Sequence, residues 1–560
     1  MDESMSERTK VGKTEWLVGW AREMICAFFA FDYIRSHISG NRGLFVMNWA
    51  SKARSALTPR IWFTNKSGED DGTRRNRSVI VRPMDTDTNT SEEGCWPELK
   101  EFCKAHAVEC TTFALFLLFG IFCIFNAFGF LGTNELKLRY DHYEQLVRKH
   151  CQFVEDRDLN GSEGKTDHPN ATLVSLLAVV RHGDRYGLVI DGGCQIASEQ
   201  ESMEFDEYLA TIEKQKNLFA IPENLADKKL TPSKDKCAYG MLTPRGAIQE
   251  FMMGRFLFNQ YKNTSLFNTT DTQVNITVTF SHLQRTFDSG VALASGFLDQ
   301  NQTTIRTPIE FKEGSVYYGC TDSGCECDEN IGMLQAMSKA ERQGLYRLEV
   351  EEKTQQVVQK LFAELNYSNP NMDPLDIIDN LVARYACPRK PLPCDDRYCA
   401  SYIFFGDIFE YFSKQSAKLF DLNIGVERQF RVLSAFPILR YVGLMTETDG
   451  KQVKLFSSHD TIVGSILRIL TDSGKYTDWQ VFAARIVFEI YETVEKVKLL
   501  RVVYDGQDIT SLMKFCKNLE FGLCTVSDLN QFLAVGIFEM AGYKTFEQTC
   551  KDHRKEFHFV

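Results

Sequence analysis

The stretch TLVSLLAVVRHGDRYG, residues 172–187, decides the fold of this 560-residue chain. Its first nine residues are mostly apolar and include three valines, which is typical of a strand buried on both faces in a parallel sheet. The apolar run ends abruptly at Arg181, His182 and Arg185. Because ligands bind at the carboxyl ends of parallel strands, the stretch predicts an α/β fold with a functional site at this turn.

Two further segments repeat the order of a strand, charged or imidazole side chains, and a helix. NITVTFS, residues 275–281, alternates like a strand and leads to Arg285 at the entry to a predicted helix. In KLFSSHDTIVGSILRIL, residues 454–470, an apolar strand precedes His459 and Asp460, and an amphipathic helix follows. Taken singly, Arg285 is an ordinary solvated helix residue and His459–Asp460 an ordinary helix-opening pair. Their shared position at strand-to-helix transitions favours one common site.

These residue types suit the chemistry of a phosphate monoester. Guanidinium groups bind phosphate oxygens in pairs, and a neutral imidazole can attack phosphorus. Neighbouring cations lower the pKa of a histidine and so keep the nucleophile unprotonated. A carboxylic acid such as Asp460 can protonate the departing alkoxide, which matters most when the leaving group is a sugar.

At these residues the chain resembles the histidine acid phosphatases. The family pattern RHGxRxP occurs as RHGDRYG from residue 181, an arginine motif as RTFDSG from residue 285, and an HD motif as SSHDT from residue 457. LTPRGAIQ, residues 242–249, is similar to the family segment LTxxGxxQ. One departure is Gly187, where the family usually has proline. Loss of proline's fixed φ predicts a looser phosphate loop and lower activity.

The resemblance implies a role for each site residue. His182 is the expected nucleophile, which forms a phosphohistidine, and Asp460 is the expected proton donor. A phosphate clamp is expected from four residues: Arg181, Arg185, Arg285 and His459. No metal or other cofactor is implied.

The fold that the resemblance implies is a three-layer α/β sandwich with a mixed central sheet and a smaller, mostly helical cap. Helical patterning places this cap mainly within residues 300–450. Strand-like segments at 482–492 and 496–505 predict a hairpin that finishes the sheet.

Residues 110–134 carry no charge, and they would span the roughly 30 Å hydrocarbon core of a bilayer as a helix. We predict one transmembrane helix here, the alternative being a buried core helix. Residues 1–109 are then a cytoplasmic, largely disordered N-terminal region, 135–170 a stem, and 171–560 a luminal histidine phosphatase domain. Of the 17 cysteines, 12 follow the anchor, which suits an oxidising lumen. The basic residues nearest the anchor favour the opposite orientation.

Several of these cysteines form tight groups, namely Cys320, Cys325 and Cys327, and Cys387, Cys394 and Cys399. Disulfide bonds are their expected use, and a zinc site is the alternative, although no histidine stands beside them at ligand spacing. Seven N-glycosylation sequons between Asn160 and Asn366 predict a glycoprotein, although three more precede the anchor.

The framework outside the motifs, notably CTDSGCEC at 320–327 and CPRKPLPCDDRYC at 387–399, resembles particular members of the family. These members remove the 2-phosphate of xylose in the glycosaminoglycan linkage region of proteoglycans. The resemblance thus implies a phosphorylated glycan substrate, a role in glycosaminoglycan biosynthesis, a Golgi membrane location and glycosyltransferases as candidate partners. The alternatives are a broad-specificity lysosomal or secretory acid phosphatase and a non-catalytic luminal binding protein of the same fold. A net charge of −11 argues against nucleic acid as a partner.

Overall fold

A computed structural model of the chain describes a set of residue ranges: 136–157, 159–188, 198–236, 238–267, 274–299, 308–314, 327–349, 374–392, 400–423, 425–448, 450–471 and 479–551. The predicted N-terminal region, 1–109, and the predicted membrane anchor, 110–134, lie outside these ranges. Within them, no helix is both long enough and apolar enough to cross a membrane.

One mixed β-sheet organises the described residues. Its strands in chain order are β1 Ala171–Arg181, β2 Phe219–Ala220, β3 Asn275–Phe280, β4 Ile309–Glu313, β5 Gln452–Ser458, β6 Arg485–Thr493, β7 Lys498–Tyr504, β8 Gln507–Asp508, β9 Leu519–Glu520 and β10 Leu523–Thr525. Their order in the sheet is β2-β4-β3-β5-β1-β6-β7-β10-β9, with β8 paired to β7. The pairs from β2 to β1 are parallel and those from β1 to β9 are antiparallel. The α/β class and the mixed sheet are therefore confirmed.

Strand β1 lies at the junction of the parallel and antiparallel halves, between β5 and β6. Its side chains alternate between two apolar clusters: Ala178 and Val180 belong to one, and Leu177 and Val179 to the other. All four are inaccessible to solvent. This burial on both faces explains why the sequence of β1 is a continuous apolar run rather than an alternating one.

Helices cover both faces of the sheet. The chain is helical over 136–151 (α1), and the later helices are α2 Glu199–Gln215, α3 Pro244–Tyr261, α4 Gln284–Asp299, α5 Asp328–Glu349, α6 Pro374–Leu381, α7 Tyr402–Asp421, α8 Glu427–Met445, α9 Asp460–Leu470, α10 Val526–Gln531, α11 Ile537–Glu539 and α12 Phe546–Lys551. Helices α2, α3 and α4 pack in the cluster that contains Val180, and α8 and α9 in the cluster that contains Val179. The described residues thus form helix, sheet and helix layers.

A third apolar cluster, called the cap cluster below, includes helices from the region where sequence analysis places the cap. It contains residues of α6 and α7 together with Phe153 and Phe482. Within residues 300–450, where sequence analysis places the cap, α5 and α8 pack instead on the sheet face that carries α9. The separate helical cluster is therefore narrower than the predicted range.

Residues 136–170, which sequence analysis assigns to a stem, contribute buried side chains to the folded domain. Phe153 and Val154 are almost inaccessible, the first in the cap cluster and the second in a sheet cluster. Cys151 is bonded to Cys387 through a disulfide. This segment is thus attached to the domain that follows it by a disulfide bond and by apolar packing.

Two further disulfides join Cys327 to Cys550 and Cys516 to Cys524. The prediction of disulfide bonds is confirmed for these cysteines. Cys327 is one thiol of the group for which zinc is the alternative, and its bond to Cys550 occupies it. The described residues hold no group of three or more side chains placed to bind a metal ion.

The predicted hairpin is present as β6 and β7, which pair antiparallel with Ile486 opposite Tyr504. It does not finish the sheet, because β10 and β9 extend the sheet beyond β7. Asp505 and Gly506, both at positive φ, turn the chain from β7 into β8. Two consecutive residues at positive φ are the requirement of a tight hairpin turn, which explains the Asp-Gly pair.

Candidate active site

The three predicted strand ends meet at one edge of the sheet. Strands β3, β5 and β1 are adjacent and parallel, so their carboxyl ends point the same way. Phe280 and Val180 both pair with Ser457, so the segments after the three strands begin side by side. The structure brings all six predicted site residues to this edge: Arg181, His182, Arg185, Arg285, His459 and Asp460.

His182 is buried, and its surroundings define where its proton lies. The ring Nδ1 is 2.8 Å from the carbonyl oxygen of Gly183. Because a carbonyl oxygen only accepts, Nδ1 donates, and the free lone pair of the neutral ring is on Nε2. Burial lowers the pKa of His182 well below its ordinary value, and the charges of Arg285 and Arg181 lower it further. His182 therefore presents an unprotonated Nε2 at neutral pH, as nucleophilic attack requires.

Three guanidinium groups near His182 have buried donors without an acceptor. Nε of Arg181, Arg185 and Arg285 makes no hydrogen bond to any residue that the structure describes. A buried polar group without a partner costs about 1–3 kcal/mol, and a charged one costs more. An anion with several oxygens, such as phosphate, would accept these bonds and offset that cost.

Arg285 enters the site from the first turn of α4, after β3. Burial lowers its pKa to about 10, and the positive charge of Arg185 contributes. Arg285 therefore remains positively charged at neutral pH. Its charge in turn acts on both His182 and His459.

Arg181 is fully buried at the end of β1. Its Nη1 donates to the carbonyl oxygen of Gln480, and its Nη2 lies 3.0 Å from Oδ2 of Asp460. The guanidinium carbon lies 4.3 Å from the centre of the Phe482 ring, a distance typical of a cation–π contact. These contacts hold the guanidinium in one plane while Nε is left for a ligand.

Arg185 is paired with a carboxylate that sequence analysis did not identify. Its Nη2 donates to both oxygens of Asp379, at 2.9 and 2.8 Å. Both side chains are largely buried, and Asp379 belongs to α6 of the cap. The pair therefore joins the cap to the RHGDR loop. In the sequence Asp379 is one of several acidic residues around a short helix, and no motif distinguishes it from a solvated one.

His459 lies beside His182, with the two ring centres 5.4 Å apart. Its Nε2 is 3.0 Å from the hydroxyl of Ser281, the residue that follows β3. Burial, followed by the charge of Arg285, lowers the pKa of His459 to about 3. The ring is therefore neutral at neutral pH, and the hydroxyl that contacts its Nε2 follows β3, the strand next to β5.

Asp460 is the first residue of α9 and keeps about a quarter of its side chain exposed. One oxygen accepts from the backbone N–H of Thr461 at 2.7 Å and the other from Nε1 of Trp479 at 2.8 Å. Burial alone would raise the pKa of Asp460, but the Arg181 charge and the Trp479 hydrogen bond outweigh it and hold the pKa below its ordinary value. Sequence analysis did not identify Trp479, which follows α9 outside any motif.

The segment LTPRGAIQ, residues 242–249, is hydrogen-bonded to the RHGDR loop, residues 181–185. Gln249 accepts from the backbone N–H of Asp184 at 2.8 Å, and Thr243 donates to a carboxylate oxygen of Asp184 at 3.0 Å. Arg245 pairs with the same carboxylate at 3.4 Å, so Asp184 is a buried support rather than a ligand. At Gly187, where the family usually has proline, the carbonyl oxygen accepts from Gly240 N–H at 3.0 Å.

Comparison with known proteins agrees with this geometry. Residues 172–372 match the family described as "Histidine phosphatase superfamily (branch 2)". This part of the chain is similar to that family. The matched residues include Arg181, His182, Arg185 and Arg285, while Asp460 lies beyond them. Together with the geometry of the site, this match identifies the chain as a phosphatase, an enzyme that hydrolyses phosphate esters.

Curated relatives of the phosphatase domain share one name. The chain is 26% identical to human 2-phosphoxylose phosphatase 1 over 445 residues, which cover 74% of this chain and 87% of the relative. It is 22% identical to 2-phosphoxylose phosphatase 1 of Xenopus tropicalis over 407 residues, 68% of this chain and 78% of the relative. Among solved structures, multiple inositol polyphosphate phosphatase of Bifidobacterium longum, in complex with phosphate, aligns with a TM-score of 0.44. That alignment has 13% identity and covers 71% of this chain and 98% of the other.

Proposed function

We propose that this phosphatase removes the 2-phosphate of xylose in the glycosaminoglycan linkage region of proteoglycans. The observation that carries the phosphate chemistry is the set of buried guanidinium donors without acceptors around an unprotonated His182. The name shared by the curated relatives supports xylose phosphate as the substrate.

In the proposed first step, the Nε2 lone pair of His182 attacks phosphorus and the bond from phosphorus to the sugar oxygen breaks. Asp460 gives its proton to that oxygen, and the free sugar hydroxyl leaves. In the second step, water attacks the phosphohistidine, the carboxylate of Asp460 takes a proton from the water, and the bond from phosphorus to Nε2 breaks. Inorganic phosphate and neutral His182 result. Arg181, Arg185, Arg285 and His459 hold the phosphoryl oxygens in both steps.

The proton on Asp460 has to come with the substrate. Before phosphate binds, neighbouring cations keep this carboxylate ionised. A phosphate monoester loses its second proton near pH 6, so in a mildly acidic lumen it arrives partly as the monoanion. Negative charge beside Asp460 raises the pKa of that carboxylate, and it can then take the proton of the monoanion. The lowered pKa of Asp460 in the ligand-free site is therefore compatible with general acid catalysis by Asp460 in the complex.

The apolar, uncharged residues 110–134 and the cysteine-rich chain after them support a single-pass type II Golgi membrane protein with a luminal domain. The sequons support N-glycosylation of that domain. A substrate built on secreted proteoglycans requires such a location, and glycosyltransferases of the same compartment are the proposed partners.

The test compares phosphate release by the full chain from a xylose-2-phosphate linker oligosaccharide and from nitrophenyl phosphate. We expect a higher kcat/KM for the oligosaccharide, and no release from either substrate by His182→Ala. His168→Ala is the matched control, because His168 is also buried but contacts Glu520 and Phe521 instead of the site. Equal kcat/KM for both substrates would support a broad acid phosphatase, and phosphate release that survives in His182→Ala would refute the proposed nucleophile.

A further inference from the structure

His150, near the end of α1, reaches the active site from a segment that precedes the matched phosphatase domain. The side chain is 6% exposed, and it lies against Arg181, Trp479 and Phe482. Neither the catalytic motifs nor the family match, which begins at residue 172, includes it.

The hydrogen bond between His150 and Arg181 has only one direction. Nε2 of His150 lies 3.3 Å from Nη1 of Arg181. Because a guanidinium group only donates, Nε2 accepts, and the ring is neutral with its proton on Nδ1. Burial lowers the pKa of His150 well below its ordinary value, and the charges of Arg181 and Arg185 add to this effect against that of Asp460.

The ring of His150 also supports the tryptophan that binds Asp460. The ring centres of His150 and Trp479 are 3.8 Å apart, and Trp479 donates to Asp460. Phe482, whose ring lies over Arg181, has its centre 4.8 Å from that of His150 and donates its backbone N–H to the His150 carbonyl. His150 thus contacts three residues, each of which touches a phosphate-clamp or proton-donor side chain.

The position of His150 is set by strong constraints on its neighbours. Cys151 is joined to Cys387 of the cap by a disulfide. The side-chain amide of Gln249 donates to the carbonyl oxygens of Cys151 and Gln152, while its oxygen accepts from Asp184 in the RHGDR loop. Gln249 therefore connects the end of α1 directly to the catalytic loop.

His150 also shields Arg181 from a neighbouring cavity. A cavity of about 600 Å³ is lined in part by His150, Trp479 and Gln480, and all three contact Arg181. Removal of the imidazole would open a path from this cavity to a guanidinium that is now fully buried. Water would then compete for the donors that a phosphate needs.

We propose that His150 is a positioning residue of the phosphatase, a neutral acceptor that aims Nε of Arg181 at the phosphate and holds Trp479 against Asp460. Arg181 already has one carboxylate partner in Asp460, and a neutral acceptor avoids a second negative charge that would offset the positive charge that binds the substrate. The inference rests on the proposed phosphate site, but not on xylose as the substrate. It makes α1, which sequence analysis assigns to the stem, a part of the active site.

The test uses the full chain with three variants: His150→Ala, His150→Gln and His142→Ala. Glutamine keeps a neutral acceptor, and His142 is an exposed histidine two turns earlier in α1. The readouts are the inhibition constant of inorganic phosphate and the kcat/KM for nitrophenyl phosphate, both normalised to the fraction of folded chain. Neither readout depends on the identity of the natural substrate.

We expect His150→Ala to weaken phosphate binding and to lower kcat/KM about 10- to 100-fold, as loss of a hydrogen bond to a charged group would do. His150→Gln should recover most of both values, and His142→Ala should match the wild type. A purely structural role would lower the unfolding temperature of His150→Ala and leave both constants of the folded fraction unchanged, and that result would overturn the proposal. Equal losses in the Ala and Gln variants would overturn it as well. Calorimetry of phosphate binding separates the role of His150 from the proposed substrate. It detects the effect of His150 on phosphate affinity even if the wild type hydrolyses no xylose phosphate.

Discussion

His182 and His459 stay neutral well below the pH at which an exposed histidine takes up a proton. Burial and the arginine charges lower the pKa of His182 far below its ordinary value and that of His459 to about 3. A histidine is neutral above its pKa, so both rings remain neutral as the pH falls through 6.5. The lowered pKa values of these two histidines therefore suit the site to an acidic compartment.

This residue-scale property predicts the pH dependence of activity. We expect kcat/KM for nitrophenyl phosphate, corrected for ionisation of the substrate, to show no loss between pH 7 and pH 5. The measurement is initial-rate kinetics across that range. A decline with an apparent pKa near 6.5 would contradict the prediction, because it would mean that the nucleophile is protonated like a free histidine.

The same lowered pKa values predict that the free energy of unfolding decreases as the pH is lowered. Below about pH 6.5 the unfolded chain binds protons on its histidines, while the folded domain excludes them from His150, His182 and His459. Each excluded proton lowers the free energy of unfolding by about 1.4 kcal/mol per pH unit until the folded pKa is reached. We expect urea unfolding between pH 7 and 5 to show this slope and His459→Gln to reduce it. An identical slope in the variant would disprove the contribution of His459.

Asp460 is the residue whose replacement should discriminate between leaving groups. A sugar alkoxide needs a proton as it departs, whereas nitrophenolate leaves readily without one. We expect Asp460→Asn to lower kcat by at least about tenfold more for the xylose phosphate than for nitrophenyl phosphate. Equal losses on both substrates would refute the role of Asp460 as an acid.

At the scale of elements, the site depends on a close approach between the start of α3 and the RHGDR loop. A Cβ added to Gly246 would lie 2.1 Å from the carbonyl oxygen of Asp184, and one added to Gly183 would lie 2.2 Å from the carbonyl oxygen of Gly246. Both obstructing atoms belong to the backbone, so neither can turn aside. The glycine of LTPRGAIQ is thus explained by contact with the catalytic loop.

We expect Gly246→Ala to destabilise the domain by roughly 1–3 kcal/mol, although alanine favours a helix by about 1 kcal/mol. The contact outweighs the propensity, because the backbone of the catalytic loop has to move. Gly536→Ala is the control, since its nearest obstructing atoms are side-chain atoms of Phe532 at 3.0 Å or more. Thermal unfolding measures both. A Gly246→Ala variant as stable as the control would contradict the inferred contact.

At the scale of the whole molecule, the Cys151–Cys387 disulfide joins the segment before β1 to the cap. Its cysteines are 236 positions apart, while those of Cys516–Cys524 are 8 apart. The stabilisation by a disulfide increases with the length of the loop that it closes, in the chain-entropy account.

We therefore expect the double variant Cys151→Ser with Cys387→Ser to lose about 5 kcal/mol of stability, against about 2–3 kcal/mol for Cys516→Ser with Cys524→Ser. Only the first pair should also weaken phosphate binding, because it holds the segment that carries His150. Thermal unfolding and phosphate inhibition measure the two effects. The same change in phosphate binding for both pairs would show that the Cys151–Cys387 bond has no specific effect on the site.

The amino-acid sequence alone determined the local features of this protein. Side-chain types and their period are local properties, and they predict the mostly apolar β1 and the amphipathic α9. They also predict the arginines, histidines and Asp460 as the reactive residues. The hairpin of β6 and β7 is predictable for the same reason, since its strands are neighbours along the chain.

Only the tertiary structure decided which distant segments meet. The adjacency of β3, β5 and β1 is a choice among many strand orders, and no local pattern encodes it. Asp379 and His150 are ordinary residues in the sequence, and they become parts of the site because cap packing and a disulfide bring them to Arg185 and Arg181. Long-range contacts of this kind arise from burial summed over the whole domain, so they cannot be derived from any one segment.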